Sequence, residues 1–129
     1  MGYCIELEES TLVIKKETAE NVVTAIKDFA KNASRLSWID KDYLLDAENI
    51  EDVFSEIRYE LNKNENGDYE IDYFSGEKLG NDLVIFNSFA QFIENGQYIE
   101  MLGEDGERWR WIFINGKCEE IIARVVWDN

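Results

Sequence analysis

Apolar and polar residues alternate at the start of the chain. Tyr3, Ile5 and Leu7 share one parity, and Cys4, Glu6 and Glu8 the other; Glu9-Ser10-Thr11 breaks the pattern and Leu12-Val13-Ile14 follows. Period two predicts a strand pair or one bent strand within Met1 to Lys16. The period then changes. Ala19, Val22, Val23, Ile26, Phe29, Ala30 and Ala33 recur at helical spacing behind a candidate N-cap, Thr18. They predict one amphipathic helix of about four turns, with Asn32 and Ser34 as stop residues. Arg35 to Asp46 reads as a connecting stretch that packs down, because it holds Trp38, Ile39, Tyr43, Leu44 and Leu45. Asp46 is the candidate cap of a second helix with the stripe Ile50, Val53, Phe54 and Ile57. Whether that helix stops near Ile57 or runs to Leu61 is open. Asn62 to Asp68 predicts a turn, and Tyr69, Ile71 and Tyr73 a half-buried strand. After a loop from Phe74 to Gly80, Asn81 or Asp82 caps a third helix built on Leu83, Phe86, Phe89, Ala90 and Ile93, with Asn95-Gly96 as its stop.

The densest pattern comes last. Tyr98 to Trp127 holds three of the chain's four tryptophans and two hairpin signals, Asp105-Gly106 and Asn115-Gly116. Each dipeptide favours a two-residue type I′ turn, in which both central residues take positive φ. A two-residue turn sets the register. At the first turn Leu102 then faces Trp109, Glu100 faces Trp111, and Tyr98 faces Phe113. At the second, Phe113 faces Cys118, Trp111 faces Glu120, and Trp109 faces Ile122. One face gathers Tyr98, Leu102, Trp109, Trp111, Phe113, Cys118 and Ile122, together with Glu100 and Glu120. Aromatic bulk makes this the expected core side. Arg108, Arg110, Ile112, Glu119 and Ile121 fall on the other face, where the arginines are expected to pair with Glu119 or a neighbouring loop acid.

The resulting order is β(β)–α–loop–α–β–β–α–β–β–β. It predicts a single α+β domain over residues 1–129: a mostly antiparallel sheet with about three helices on one face and a C-terminal three-stranded meander over 98–127. A ferredoxin-like core with an extended C-terminal hairpin is compatible with that order.

The run Gly103-Glu104-Asp105-Gly106, Trp109-Arg110, Asn115-Gly116-Lys117 and Val126-Trp127 resembles a C-terminal signature of small bacterial and phage proteins, and Met1-Gly2-Tyr3 fits the same group. The resemblance covers about the last quarter of the chain. It implies no catalytic residue.

Charge changes the functional picture. Asp and Glu number 28 against 13 Lys and Arg, a formal net charge of −15. Such a field repels nucleic acid and anionic membranes and draws in basic proteins. A hydrophobic fraction of 45%, with 13% aromatics, argues for a real core rather than disorder. No apolar run has the length of a membrane span, and the N-terminus lacks a basic-then-apolar signal. Two cysteines, Cys4 and Cys118, are too few for a disulfide framework, and both are expected to be reduced, apolar core residues in a cytoplasmic protein.

Elimination removes most catalytic chemistry. The chain has no histidine, so the commonest general base, the commonest metal ligand and the usual nucleophile triads are missing. Asp40, Asp42 and Asp46 are close enough in sequence to suggest a hard cation, but loop and cap roles explain them better. Asn62-x-Asn64-x-Asn66-Gly67 echoes a calcium loop without its terminal glutamate. The remaining chemical candidate is the carboxylate pair Glu100 and Glu120 beside Trp111, a setting that favours acid catalysis. The chain is nevertheless expected not to be an enzyme and to need neither cofactor nor metal.

The expected function is a small acidic cytoplasmic binding protein, such as a phage anti-defence inhibitor or a toxin-immunity protein, engaging a basic partner. Its contact residues would be Glu104, Asp105, Glu107, Arg108, Arg110 and Glu119. The alternatives are a structural interaction domain, whose acidity serves solubility alone, and a carboxylate-based small-ligand enzyme. An exposed edge near Arg124 to Trp127 would permit a homodimer.

Overall fold

The break at Ser10 is where the chain changes sheets. A computed structural model describes residues 4–34, 36–76 and 80–128. In it β1 (Ile5–Ser10) and β2 (Val13–Ile14) belong to different sheets. Two hydroxyls make the corner. Ser10 Oγ accepts from the Leu12 amide at 3.2 Å, and Thr11 Oγ1 accepts from the Tyr98 amide at 2.9 Å. Local hydroxyl acceptors of this kind compete with ladder bonds and turn the chain.

The rest follows as α1 (Ala19–Asn32), α2 (Lys41–Asp46), α3 (Ile50–Glu56), β3 (Tyr59–Lys63), β4 (Tyr69–Phe74), α4 (Asp82–Phe89), β5 (Tyr98–Gly103), β6 (Arg108–Ile114) and β7 (Lys117–Ile122). The fold is α+β. Its two antiparallel sheets have strand orders β1-β5-β6-β7 and β2-β4-β3. The expectation of one sheet with about three helices is therefore corrected to two sheets and four α-helices among the described residues. Partition of the strands between two sheets also removes the ferredoxin-like arrangement, which needs one.

Several boundaries differ for local reasons. The stretch expected to be a connection contains α2, because Asp40 caps it by accepting from the Asp42 and Tyr43 amides at 3.0 and 3.2 Å. Asn49, not Asp46, caps α3 through the Asp52 amide at 2.8 Å. Thr18 does not cap α1; its hydroxyl donates to the Lys15 carbonyl and closes a short 3-10 turn. The second helix ends at Glu56, and Arg58 at φ 77° reverses the chain so that β3 starts at Tyr59. The Asn62–Asp68 turn is a hairpin loop. Asn64 Oδ1 accepts from the amides of Asn66 and Asp68, and Gly67 takes φ 83°.

The core lies between α4 and the faces of both sheets. Phe86 sits at its centre, with ring centroids 5.1 Å from Trp111, 5.5 Å from Tyr59 and 6.0 Å from Phe89. Phe89 stacks on Phe113 at 6.0 Å. Each such pair adds about 0.5–1.5 kcal/mol beyond area burial. The stripe Val22, Ile26 and Ala30 of α1 is fully buried with them. Cys118 belongs to this core, whereas Cys4 is exposed, contrary to expectation. Both thiols are free.

The meander forms as expected, but one of its two turns differs. Asn115 and Gly116 have φ 53° and 79°, a type I′ pair, and the β6–β7 register matches: Trp111 faces Glu120 and Phe113 faces Cys118. At the first turn only Gly106 has positive φ, 89°. The Gly103 amide donates to the Glu107 carbonyl, enclosing a three-residue loop of Glu104, Asp105 and Gly106. Three-residue hairpins place one glycine in the left-handed region after a type I turn. The extra residue shifts β5 by one place. Glu100 faces Arg110, Met101 faces Trp109, and Ile99 faces Trp111. Every β5 side chain therefore lies on the opposite face from the one expected.

Candidate functional site

The register shift decides which charged groups meet. Glu100 and Glu120 are separated by the sheet, so the proposed carboxylate pair does not exist. Glu120 stays on the Trp111 side and accepts from the indole Nε1 at 3.0 Å. Glu100 moves to the outer face, where the sequence had placed Arg108 and Arg110. Arg110 Nε donates to Glu100 Oε1 at 2.7 Å, and Arg108 Nη1 to Oε2 at 3.3 Å. Arg108 also reaches Glu8 at 3.7 Å. The arginines are paired, as anticipated, but with Glu100 and Glu8 rather than with Glu119. These two arginines cover Glu100, which is 7% exposed.

The outer face carries a second layer of ordering. The Arg110 guanidinium lies 3.9 Å from the Tyr98 ring centroid, a cation–π contact. The Tyr98 hydroxyl donates to Glu9. That hydrogen bond raises the Tyr98 phenol above its ordinary range. The hydrogen bond to Glu100 likewise raises Arg110. Glu8, Glu9, Glu100, Arg108, Arg110 and Arg124 line a groove of about 660 Å³ above this layer. The groove is open, and most of its charges already neutralise one another.

A second polar assembly is internal. Asp82, at the first turn of α4, is buried. Its carboxylate accepts from the Tyr59 hydroxyl at 2.6 Å, from the Gly80 amide at 2.8 Å and from Arg58 Nη2 at 3.3 Å. Burial, and then the neighbouring Asp82 charge, push the Tyr59 phenol well above its ordinary 10.0. The assembly ties the start of β3 to the start of α4. With Asp82 and Tyr59 both buried, its role is to hold two elements together. Sequence had marked Asp82 only as a helix cap and had no signal for Tyr59 or Arg58, since both sat where helix and strand could not be told apart.

The surface residues anticipated as contacts fall into two groups. Glu104, Asp105 and Glu107 are exposed on the β5–β6 turn, and Glu119 is exposed on β7. Arg108 and Arg110 serve Glu100. Beyond Glu119 the chain runs uncovered: Ile121, Ile122, Val125, Val126 and Trp127 are all exposed. Among the described residues no group of three or more His, Cys, Asp or Glu could hold a metal ion; Asp40 is engaged as a cap. No helix among them is long and apolar enough to cross a membrane. No protein-family model matches the chain, no curated protein is detectably similar to it, and no solved structure matches it.

Proposed function

We propose that the chain is a small acidic binding protein that engages a basic protein partner through its carboxylates, in the manner of a phage anti-defence inhibitor or a toxin-immunity protein. One observation carries this. Of 28 acidic residues, the ion pairs among the described residues engage only Glu8, Asp68, Asp82 and Glu100. The remaining acids among the described residues form no ion pair with a described cation. Glu104, Asp105 and Glu107 project from one hydrogen-bonded turn, with Glu119 exposed on β7. Clustered carboxylates on ordered backbone steer a basic partner and fix its register. Arg108 and Arg110, half-exposed above Glu100, complete the proposed contact surface while paired to Glu100 and Glu8.

The test is titration calorimetry against a panel of purified basic nucleases and nucleic-acid-binding proteins, with lysozyme as a cationic control. A saturable complex with a panel member, absent with lysozyme and weakened about tenfold or more by raising salt from 50 to 200 mM, is the expected result. The variant Glu104→Gln/Asp105→Asn/Glu107→Gln should weaken it at least tenfold. Binding no different from lysozyme across the panel, and unchanged in the triple variant, would refute the proposal.

A further inference from the structure

The edge of the four-stranded sheet is guarded at one point and open beyond it. β7 is an outer strand. The Ala123 amide donates inward to the Arg108 carbonyl at 2.9 Å. Backbone groups alternate along an antiparallel strand, so the even-numbered residues of β7 direct their amides and carbonyls outward. Cys118 is the first to be met. Asn87 of α4 satisfies both of its groups: the Cys118 amide donates to Asn87 Oδ1 at 2.9 Å, and Asn87 Nδ2 donates to the Cys118 carbonyl at 2.9 Å. A side-chain amide here stands in for a neighbouring strand. At Glu120 and Ile122 the outward groups have no such partner among the described residues.

The side chains along the open part are also uncovered. Ile121 is 47% exposed and Ile122 68%, and Val125, Val126 and Trp127 are exposed further still, up to 86%. Natural sheets blunt free edges with lysine, proline or bulges. From Glu119 to Trp127 there is no proline and one cation, Arg124. Unpaired outward backbone groups at Glu120 and Ile122, beside exposed isoleucine and followed by exposed valine and tryptophan, are what strand addition uses.

We infer that the β7 edge at Glu120 to Ile122, where the strand ends, is a strand-addition site extended by the exposed segment 123–127, and that its occupant is an extended basic segment of a partner protein, with cationic and apolar residues alternating. This rests on the acidic binding reading and specifies the partner's form. Charge selects the occupant. Glu119 and Glu120 lie on the edge itself, Asp128 follows it, and Arg108 pairing with Ala123 places the following segment at the sheet end that carries Glu104, Asp105 and Glu107. A second copy of the chain would bring another −15 to the same edge. Lysines or arginines on the Glu119 side would instead meet a carboxylate, while the intervening apolar residues cover Ile122 on the other side, where Glu120 is already bonded to Trp111.

The probes are two synthetic decapeptides of equal composition, one alternating Lys and Val, the other with five Lys followed by five Val. A third copies the alternating peptide with every second backbone nitrogen methylated. Binding is followed by calorimetry, and amide exchange of Glu120 and Ile122 by NMR. The expected result is at least tenfold tighter binding of the alternating peptide than of the blocked one. Exchange at both amides should slow at least tenfold, and N-methylation should abolish both effects. The variant Ile122→Pro removes an outward amide and should lose binding, with circular dichroism reporting its fold. Equal binding of all three peptides without protection would refute strand addition while leaving an acidic surface that attracts cations. No binding of any peptide, alongside binding of a basic protein through the turn acids, would likewise refute it alone. Sedimentation showing a dimer whose Glu120 and Ile122 amides are protected without peptide would make a second copy the occupant and overturn the inference.

Discussion

Replacing Tyr59 with Phe removes one oxygen from the buried Asp82 assembly and little else. The Tyr59 ring stays packed at 4.9 Å from Phe74 and 5.5 Å from Phe86. What is lost is a 2.6 Å hydrogen bond to a carboxylate that is 4% exposed. Hydrogen bonds to charged groups contribute roughly 1.5–3 kcal/mol, and water cannot easily replace this one. The expected loss is therefore about 2 kcal/mol, or roughly 6–10 °C in Tm for a domain of this size. Asp82→Asn tests the other half of the assembly. It removes the charge facing the mostly buried Arg58, and losing one partner of a buried pair costs about 3–5 kcal/mol, less here because Arg58 keeps some solvent contact. The two changes share an interaction, so they should not add. In an Asp82→Ala background, Tyr59→Phe should cost under about 0.5 kcal/mol, because the acceptor is already gone. Urea unfolding at pH 7, followed by far-UV circular dichroism, measures all of these. A Tyr59→Phe protein as stable as the parent, or full additivity of the two changes, would refute the account of Asp82 as the tie between β3 and α4.

Three further outcomes follow from the same geometry. Asn87→Ala should cost roughly 2 kcal/mol by removing two hydrogen bonds to Cys118, and NMR exchange should show the Cys118 amide losing protection while the amides of β6 keep theirs. Burial raises the Cys118 thiol from 9.0 to about 12, so brief iodoacetamide treatment at pH 8 should modify exposed Cys4 alone, both thiols reacting only after denaturation; mass spectrometry reads the difference. The folded state holds the Cys118 proton, and the Tyr59 proton, to higher pH than the unfolded chain does. The stability they contribute is complete below about pH 9 and falls as pH rises toward 12. Urea midpoints should therefore be flat from pH 7 to 8.5 and decline above 9, with a shallower decline in Cys118→Ala.

Local pattern carried most of the elements and little of the site. The stripe from Val22 to Ala30, the strand at Tyr69 to Phe74 and the second hairpin appear where periodicity put them, because each depends on neighbours a few residues away, although Tyr73 is exposed rather than on the buried side of its strand. Assignment of strands to sheets depends instead on Thr11 bonding across to Tyr98, a relation between distant segments that no local window contains. The first hairpin shows how a small local ambiguity propagates. Asp-Gly serves a two-residue turn and a three-residue one equally well, since both need a glycine in the left-handed region. The choice between them moves β5 by one residue. That single step separates Glu100 from Glu120, dissolves the acid pair, and sets Glu100 under two arginines that would otherwise have been free to bind an anion. The same step leaves Glu104, Asp105 and Glu107 on an exposed loop without internal cations. Neutralisation on the outer face and its absence at the turn thus have one cause. Arg108 and Arg110 are held where the sheet needs them, and the carboxylates of the turn stand exposed.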